Sequence, residues 1–252
     1  MALTFGGNAV TSLNYNGTNI NAVFFDGTQV IGPSGSQIYS TPGAYTFTVP
    51  SGVYSLNVCM IGGGGSGAAN NNNSTVYAHG PSYAGGGYSG AIVEDTIEVE
   101  PGDGITVTIG SGGVAVSTIY TSTSTVAKLN GLAGGTTSFG PLVAAGGAGG
   151  TYAPEDIVLY KGNGASRTTC IGTANDGVKV TTTSYIGNEP IVAYGGQAGF
   201  AAGGNGRTGA DIVGYSGSMG SGGGGVTSTT IKSTNTSGKG GNGYVKITWG
   251  ID

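Results

Sequence analysis

Three glycines, Gly62, Gly64 and Gly67 in "MIGGGGSGAANNNN", stand at G-x-G-x-x-G spacing directly behind the alternating apolar run "VYSLNVCMI". In a dinucleotide-binding crossover, such glycines let backbone approach a pyrophosphate, and a helix begins there whose first amides hold the charge. Here the residues after Gly67 read "AANNNNSTVYAHGPS", and asparagine favours turns over helix. The position about 20 residues on, where an acidic side chain would hold the ribose, falls in "YAGGGYSG". The stretch is therefore read as packing glycine, and no cofactor is assigned.

The other reactive side chains are sparse. His79 is the single histidine and sits in "VYAHGPSY" without a neighbouring acid to orient its ring, so Ser-His and Cys-His mechanisms have little to build on. One histidine and two distant cysteines, Cys59 and Cys170, supply no spaced ligand set for a metal. The cysteines are read as reduced thiols in strand or loop packing, with their pairing left open. The acidic run "EDTIEVEPGD" (Glu94, Asp95, Glu98, Glu100, Asp103) offers carboxylates for calcium but has no recognisable loop pattern. Strand alternation puts Glu98 and Glu100 on a solvated face instead. The Asn-x-Ser/Thr sites at Asn16, Asn73 and Asn235 are expected by chance in a chain rich in these residues. No catalytic residue and no metal site are assigned, and the chain reads as a non-enzyme. The competing class is a glycan depolymerase, which needs only two carboxylates; Glu155 and Asp156 would be its first candidates.

What remains are four polar, glycine-poor loops, 68–83, 114–130, 151–189 and 226–237. They carry Tyr77, His79, Tyr83, Tyr120, Tyr152, Tyr160, Lys161, Arg167 and Tyr185. Tyrosine among Ser, Gly and Asn gives stiff apolar faces with hydrogen-bonding tips, the usual vocabulary of loop-based recognition. These nine residues are the candidate receptor-binding set.

The elements that must position them are written in an unusual composition. Glycine accounts for 55 of 252 residues and charged residues for only 8%, against about 25% in an average domain. Low charge and 14 tyrosines speak against disorder. A net charge of −4 leaves no basic patch, which excludes nucleic acid as a partner. No apolar run reaches the ~18 residues of a membrane span, and "MALTFGGNAV" shows no secretory signal.

Alternation predicts strands in "AYTFTVP", "VYSLNVCMI", "FGPLVAAGG" and "GYVKITW", and a hairpin of "AIVEDTIEVE" with "GITVTIG" across Pro-Gly-Asp-Gly. At the front, "LNYNGTNI" and "FFDGTQVI" repeat with Asn-Gly and Asp-Gly turns, so residues 1–35 form a small hairpin module ended by the linker-like "GPSGS". Between strands, glycines recur every third residue at Gly203/Gly206/Gly209, Gly214/Gly217/Gly220/Gly223, Gly62/Gly65, Gly146/Gly149 and Gly240/Gly243. Three is the repeat of the extended left-handed helix of polyproline II type, whose backbones can pack closely only through glycine. The expected fold is all-β, with short glycine helices packed side by side.

The order of these pieces resembles the glycine-rich domain of tailed-bacteriophage tail fibres and tail-tip adhesins. The pieces are "YTFTVPSGVYSLNVCMIGGGGSGA", "GGGYSGAIVEDTIEVEPGDGITVTIGSGG", "TTSFGPLVAAGGAGG" and the closing "GGNGYVKITW". The resemblance spans residues 38–252. It implies a β-sandwich merged with packed polyglycine II helices, displayed on a virion and touching the host. The expected partners are other virion proteins, through the N-terminal module, and a host surface glycan or outer-membrane protein. Monomer and homotrimer both stay open. The alternative is an architectural virion protein, a head decoration, head fibre or tail adaptor, without receptor binding.

Overall fold

The computed structural model describes residues 4–5, 8–9, 13–15, 18–20, 23–25, 28–71, 83–119, 127–153, 204, 207–208, 212–228 and 234–250. Eight strands build a sandwich: β1 (Gly35–Tyr39), β2 (Gly43–Thr48), β3 (Ser55–Ile61), β4 (Ile92–Glu98), β5 (Gly104–Ile109), β6 (Thr137–Phe139), β7 (Leu142–Ala144) and β8 (Tyr244–Trp249). One sheet has the order β4-β3-β8-β1 and the other β7-β6-β5-β2, and every neighbouring pair is antiparallel. No α-helix occurs among the described residues.

Alternation explains the layers. Leu56, Val58 and Met60 of β3 and Val245 and Ile247 of β8 point inward from one sheet. Phe47, Val107, Ile109, Phe139 and Ala144 meet them from the other. Phe47 links the layers, with its ring 6.0 Å from Phe139 and 5.7 Å from Trp249. This apolar burial is the hydrophobic stabilisation of the sandwich.

Two local readings of the sequence differ from the structure. The strands flanking Pro-Gly-Asp-Gly do not pair: β4 bonds to β3, and β5 to β2 and β6. The turn itself forms, with Gly102 at φ 93 and the Asp103 carboxylate accepting the Glu100 amide at 3.0 Å. It carries the chain across the core, however, because Gly102 donates to Val49 and Val49 to Asp103, docking it on the end of β2. Turn residues specify a reversal, not the sheet to which the next strand belongs. "FGPLVAAGG", read as one strand, is two, β6 and β7, around Gly140 at φ 53. Moreover, Gly35 and Ser36 of the linker-like stretch already pair with Trp249 and Thr248.

The cysteine reading is also corrected. Cys59 is disulfide-bonded; the chain's other cysteine, Cys170, lies outside the described residues. Two cysteines so far apart in sequence carry no spacing signal, so composition alone misses the bond. Cys59 is buried with Ile61 and Tyr244 on the face of β3 and β8 turned away from the sandwich core.

The N-terminal hairpins exist, and there are three rather than two. Thr4–Phe5 pairs with Asn8–Ala9, Leu13–Tyr15 with Thr18–Ile20, and Val23–Phe25 with Thr28–Ile31. The closing pairs Phe5↔Asn8, Tyr15↔Thr18 and Phe25↔Thr28 recur every ten residues.

The sandwich strands then run directly into glycine segments. β3 continues as 62–68, β5 as 110–116 and β7 as 145–151, while 85–91, 130–136 and 237–243 lead into β4, β6 and β8. Successive amides of 62–68 turn to three neighbours and return to the first every third residue. Gly62, Gly65 and Ala68 donate to Ala91, Tyr88 and Gly85; Gly63 and Ser66 to Gly135 and Leu132; Gly64 and Gly67 to Gly241 and Gly238. Its carbonyls accept from Gly147 and Gly150, from Gly223 and Val226, and from Gly113. With 221–226, which follows the turn at Met219 and Gly220, the surrounding segments number six and close a ring on one another through Gly87→Gly223, Gly238→Gly224, Gly240→Gly113, Gly135→Ser111, Gly131→Gly150 and Gly85→Thr151. A repeat of three with bonds only to neighbours is the polyglycine II arrangement. A further segment lies outside the ring, with Gly214, Gly217 and Gly220 donating to Thr236, Lys239 and Asn242. The tract Gly203/Gly206/Gly209 lies outside the described residues, but the adjacent Gly204 donates to Gly222.

Glycine is needed here for its missing Cβ, not for a special dihedral. None of Gly62, Gly63, Gly64, Gly65 and Gly67 has a positive φ, yet a Cβ on any of them would come within 3.0 Å of neighbouring backbone. Ser66 is tolerated in the centre because its hydroxyl accepts the Leu132 amide at 2.8 Å. In an outer segment only two positions in three face neighbours. Accordingly Gly147 and Gly150 are buried, whereas Ala145, Ala148 and Thr151 are exposed.

Gly65→Ala should therefore destabilise the protein by about 3 kcal/mol, an overpacking cost against rigid backbone. Gly104→Ala, whose Cβ would meet only Thr46 Cγ2 at 3.5 Å, should stay within about 0.5 kcal/mol. Urea unfolding of both variants checks the contrast, and equal effects would contradict the packing argument. A second expectation concerns pH. Burial holds the Tyr244 phenol above its usual 10.0, so the folded state resists an ionisation that the unfolded chain undergoes freely. Stability falls as pH climbs past 10.0, and Tyr244→Phe should flatten that decline in unfolding titrations.

Candidate functional site

The glycine segments have two ends, and the sandwich occupies one. At the other, each segment passes into a short ladder. Ala69–Asn71 pairs antiparallel with Ala127–Leu129 and parallel with Val226–Ser228, which Arg207–Thr208 joins on its far side. Tyr83–Ala84 pairs with Tyr152–Ala153, and Ser117–Ile119 with Thr234–Thr236. The stretches 72–82, 120–126 and 229–233 are flanked on both sides by described residues at this level, and 154–203 is flanked there on its N-terminal side; on its other side Gly204 donates to Gly222, midway along the bundle. Antiparallel threading accounts for 72–82, 120–126 and 229–233, each lying between a segment that leaves the sandwich and one that returns; Arg207–Thr208 instead runs in the same direction as Ala69–Asn71.

Of the nine candidate residues, the structure brings two together. Tyr83 stands opposite Ala153 and Tyr152 opposite Ala84 in one two-residue ladder, so loops distant in sequence share a base. Tyr77, His79, Tyr120, Tyr160, Lys161, Arg167 and Tyr185 lie outside the described residues, as do Glu155 and Asp156.

Charge is distributed unevenly. Glu94, Asp95, Glu98, Glu100 and Asp103 are all exposed and belong to the sandwich and its turn. Two of them serve local backbone, Asp103 accepting from Glu100 and Asp95 from Thr96 at 2.8 Å. Among the described residues of the loop-bearing ladders, the charged residues are Lys128 and Arg207.

Gly62, Gly64 and Gly67 form no phosphate cradle. Every amide from Gly62 to Ala68 already donates to a protein carbonyl, and Gly67 is followed by Ala68 and a strand rather than a helix. The asparagine run opens in that strand, with Asn70 fully buried, where the sequence suggested turns. Asn235, one of the chance glycosylation motifs, is likewise fully buried. Sequence reasoning passed over both asparagines; the alternation of Ser117, Thr118 and Ile119 between exposed and buried is too short to read without the ladder.

A glycine-rich domain family model matches residues 40–250, from just after β1 to the end of β8. The chain belongs to this glycine-rich domain family. No curated protein matches the chain. The match takes in seven of the eight sandwich strands, the bundle and all four loops, and leaves the three hairpins and β1 outside it. Within the matched residues a joint between strand and glycine segment recurs at β3, β4, β5, β6, β7 and β8.

The joint carries its own prediction. Gly243 precedes β8, and a Cβ there would strike the Thr137 hydroxyl, which is buried and accepts the Gly110 amide at 3.2 Å. Gly243→Ala should cost about 2 kcal/mol or more. Pairing it with Thr137→Ala should recover part of that loss in a double-mutant cycle; strictly additive effects would argue against the clash.

Proposed function

We propose that the protein is a bacteriophage virion surface protein, a tail-fibre or tail-tip adhesin that binds a host surface receptor through the loops between its glycine helices. The observation that carries this reading is the opposition of the two ends. The chain enters the domain at Gly35, paired with Trp249, at the sandwich end farthest from the glycine bundle. The described residues that flank 72–82, 120–126 and 229–233, and those that lead into 154–203, lie at the other end. A protein fastened at its N-terminal side would present those loops outward.

Division of labour supports the same reading. Packed glycine helices offer backbone and few side chains, so they suit a scaffold better than a reader. Tyrosines in the loops can stack on sugar faces or fit an outer-membrane protein at small entropic cost. The net charge of −4 speaks against recognition driven mainly by acidic surface polymers, leaving shape, stacking and hydrogen bonds to supply specificity. The protein acts by binding, without catalysis, and resides in the virion. Incubation with host surface polysaccharide should release no new reducing ends.

A second reading, an architectural virion protein, draws on the hairpins. Two-stranded hairpins are marginal alone and gain from a partner's sheet, so in both readings residues 1–31 attach the protein to the particle. Position separates the two: the distal end of a fibre supports adhesion, whereas burial of the 151–189 loop against a capsid or tail-tube subunit defeats it.

Purified protein should compete with infection. Replacing Tyr152, Tyr160 and Tyr185 with alanine should abolish competition while leaving Trp249 fluorescence unchanged; undiminished competition would assign recognition elsewhere. Deleting residues 1–31 should leave receptor competition intact and prevent incorporation into particles, and normal incorporation would overturn the attachment role.

A further inference from the structure

Buried hydroxyls within the bundle find partners. Ser66 accepts from Leu132, Thr137 from Gly110, and Ser237 from Val116. Three buried side chains at the loop-bearing end do not. Asn70 and Asn235 are fully buried and Thr118 is 1% exposed. Both amide atoms of each asparagine and the threonine hydroxyl have no hydrogen-bond partner in the protein.

Their positions in the fold bring them to one place. Asn70 is the middle residue of the strand that extends the central glycine segment. Thr118 and Asn235 face each other in register on the ladder that extends 110–116 and 237–243, two segments that bond directly to the central one. The strand Ala69–Asn71 packs against both halves of that ladder. Thr118 lies between exposed Ser117 and Ile119, so its side of the ladder is the one turned inward.

The chemistry of the set selects its ligand. Two amide oxygens can only accept, two amide nitrogens can only donate, and the hydroxyl does either. A bare cation would satisfy the oxygens and leave both nitrogens orphaned; an anion would do the reverse. No carboxylate lies on these strands to neutralise a divalent ion. A small neutral molecule that donates and accepts at once serves both kinds of amide atom, up to four of the five atoms for each molecule, and in a sealed site that molecule is water. We propose that Asn70, Thr118 and Asn235 enclose a long-lived internal water site that closes the loop-bearing end of the glycine bundle. The three segments meeting there each lead toward a different loop, so the water would lock the loop bases to one another independently of what the loops bind.

Water-selective NOE and ROE spectroscopy on the ¹⁵N-labelled full chain tests this directly. The side-chain NH₂ groups of Asn70 and Asn235 should show water cross-peaks with the sign of a long-lived bound molecule. Cross-peaks only between the two side chains, without water, would overturn the proposal in favour of direct amide pairing. A second arm uses Asn235→Leu, which should abolish the Asn70 water cross-peak with Trp249 fluorescence unchanged. If that variant does not fold, the wild-type spectrum still decides. A rise in Tm on adding sodium, potassium or calcium that Asn235→Leu removes would identify an ion instead and sink the water assignment.

Discussion

Everything in this fold follows from how closely one backbone can approach six others. The amides of Gly62 to Ala68 reach carbonyls on three sides, and their own carbonyls are reached from three more. The spacing that permits those bonds leaves no room for a methyl group at Gly62, Gly63, Gly64, Gly65 or Gly67. Glycine is entropically costly to order, and it buries little apolar surface in return. Cohesion in this half of the molecule therefore comes from backbone hydrogen bonds between segments, with every amide from Gly62 to Ala68 donating to a neighbour, each bond worth about 1 kcal/mol net.

The sandwich supplies what the bundle lacks. Its core of Leu56, Val58, Met60, Val107, Ile109, Phe139, Val245 and Ile247 ends where the glycines begin, so each long strand is half hydrophobic anchor and half glycine helix. Joining the two solves a nucleation problem. A lone glycine segment has no preferred partner, but strands held in register by side-chain packing deliver their continuations already aligned. The order of the five ring segments that continue sandwich strands is thus set by sheet topology rather than by the glycines, which all look alike; the sixth enters from the turn at Met219 and Gly220.

That division also explains how much the sequence disclosed. The all-β class, the strand pattern of β2, β3 and β8, and the glycine helices were legible, because periods of two and three survive in the residue string. Sheet membership was not. Pro101 and Gly102 announce a reversal, and only the shared core shows that the chain crosses between layers there. The Cys59 bond left no trace in spacing. For the site, the string marked which stretches are rich in side chains, and topology added that the residues flanking 72–82, 120–126 and 229–233 share one end. The buried Asn70, Thr118 and Asn235 stayed hidden because asparagine and threonine are ordinary turn and loop residues until a ladder encloses them.

Hydrogen bonds between glycine segments run across the segment axes, and this has a mechanical meaning. A pull applied at the loop-bearing end and resisted at Gly35 travels along those axes and loads the cross-bonds in shear. Because each segment is bonded at every third residue to several neighbours, no single bond carries the tension alone, and a segment must slip by a whole turn before its bonds can re-form. The element best placed to yield is the tether ahead of Gly35, where three small hairpins, each closed by few pairs, can unzip one after another while the glycine bundle keeps its shape.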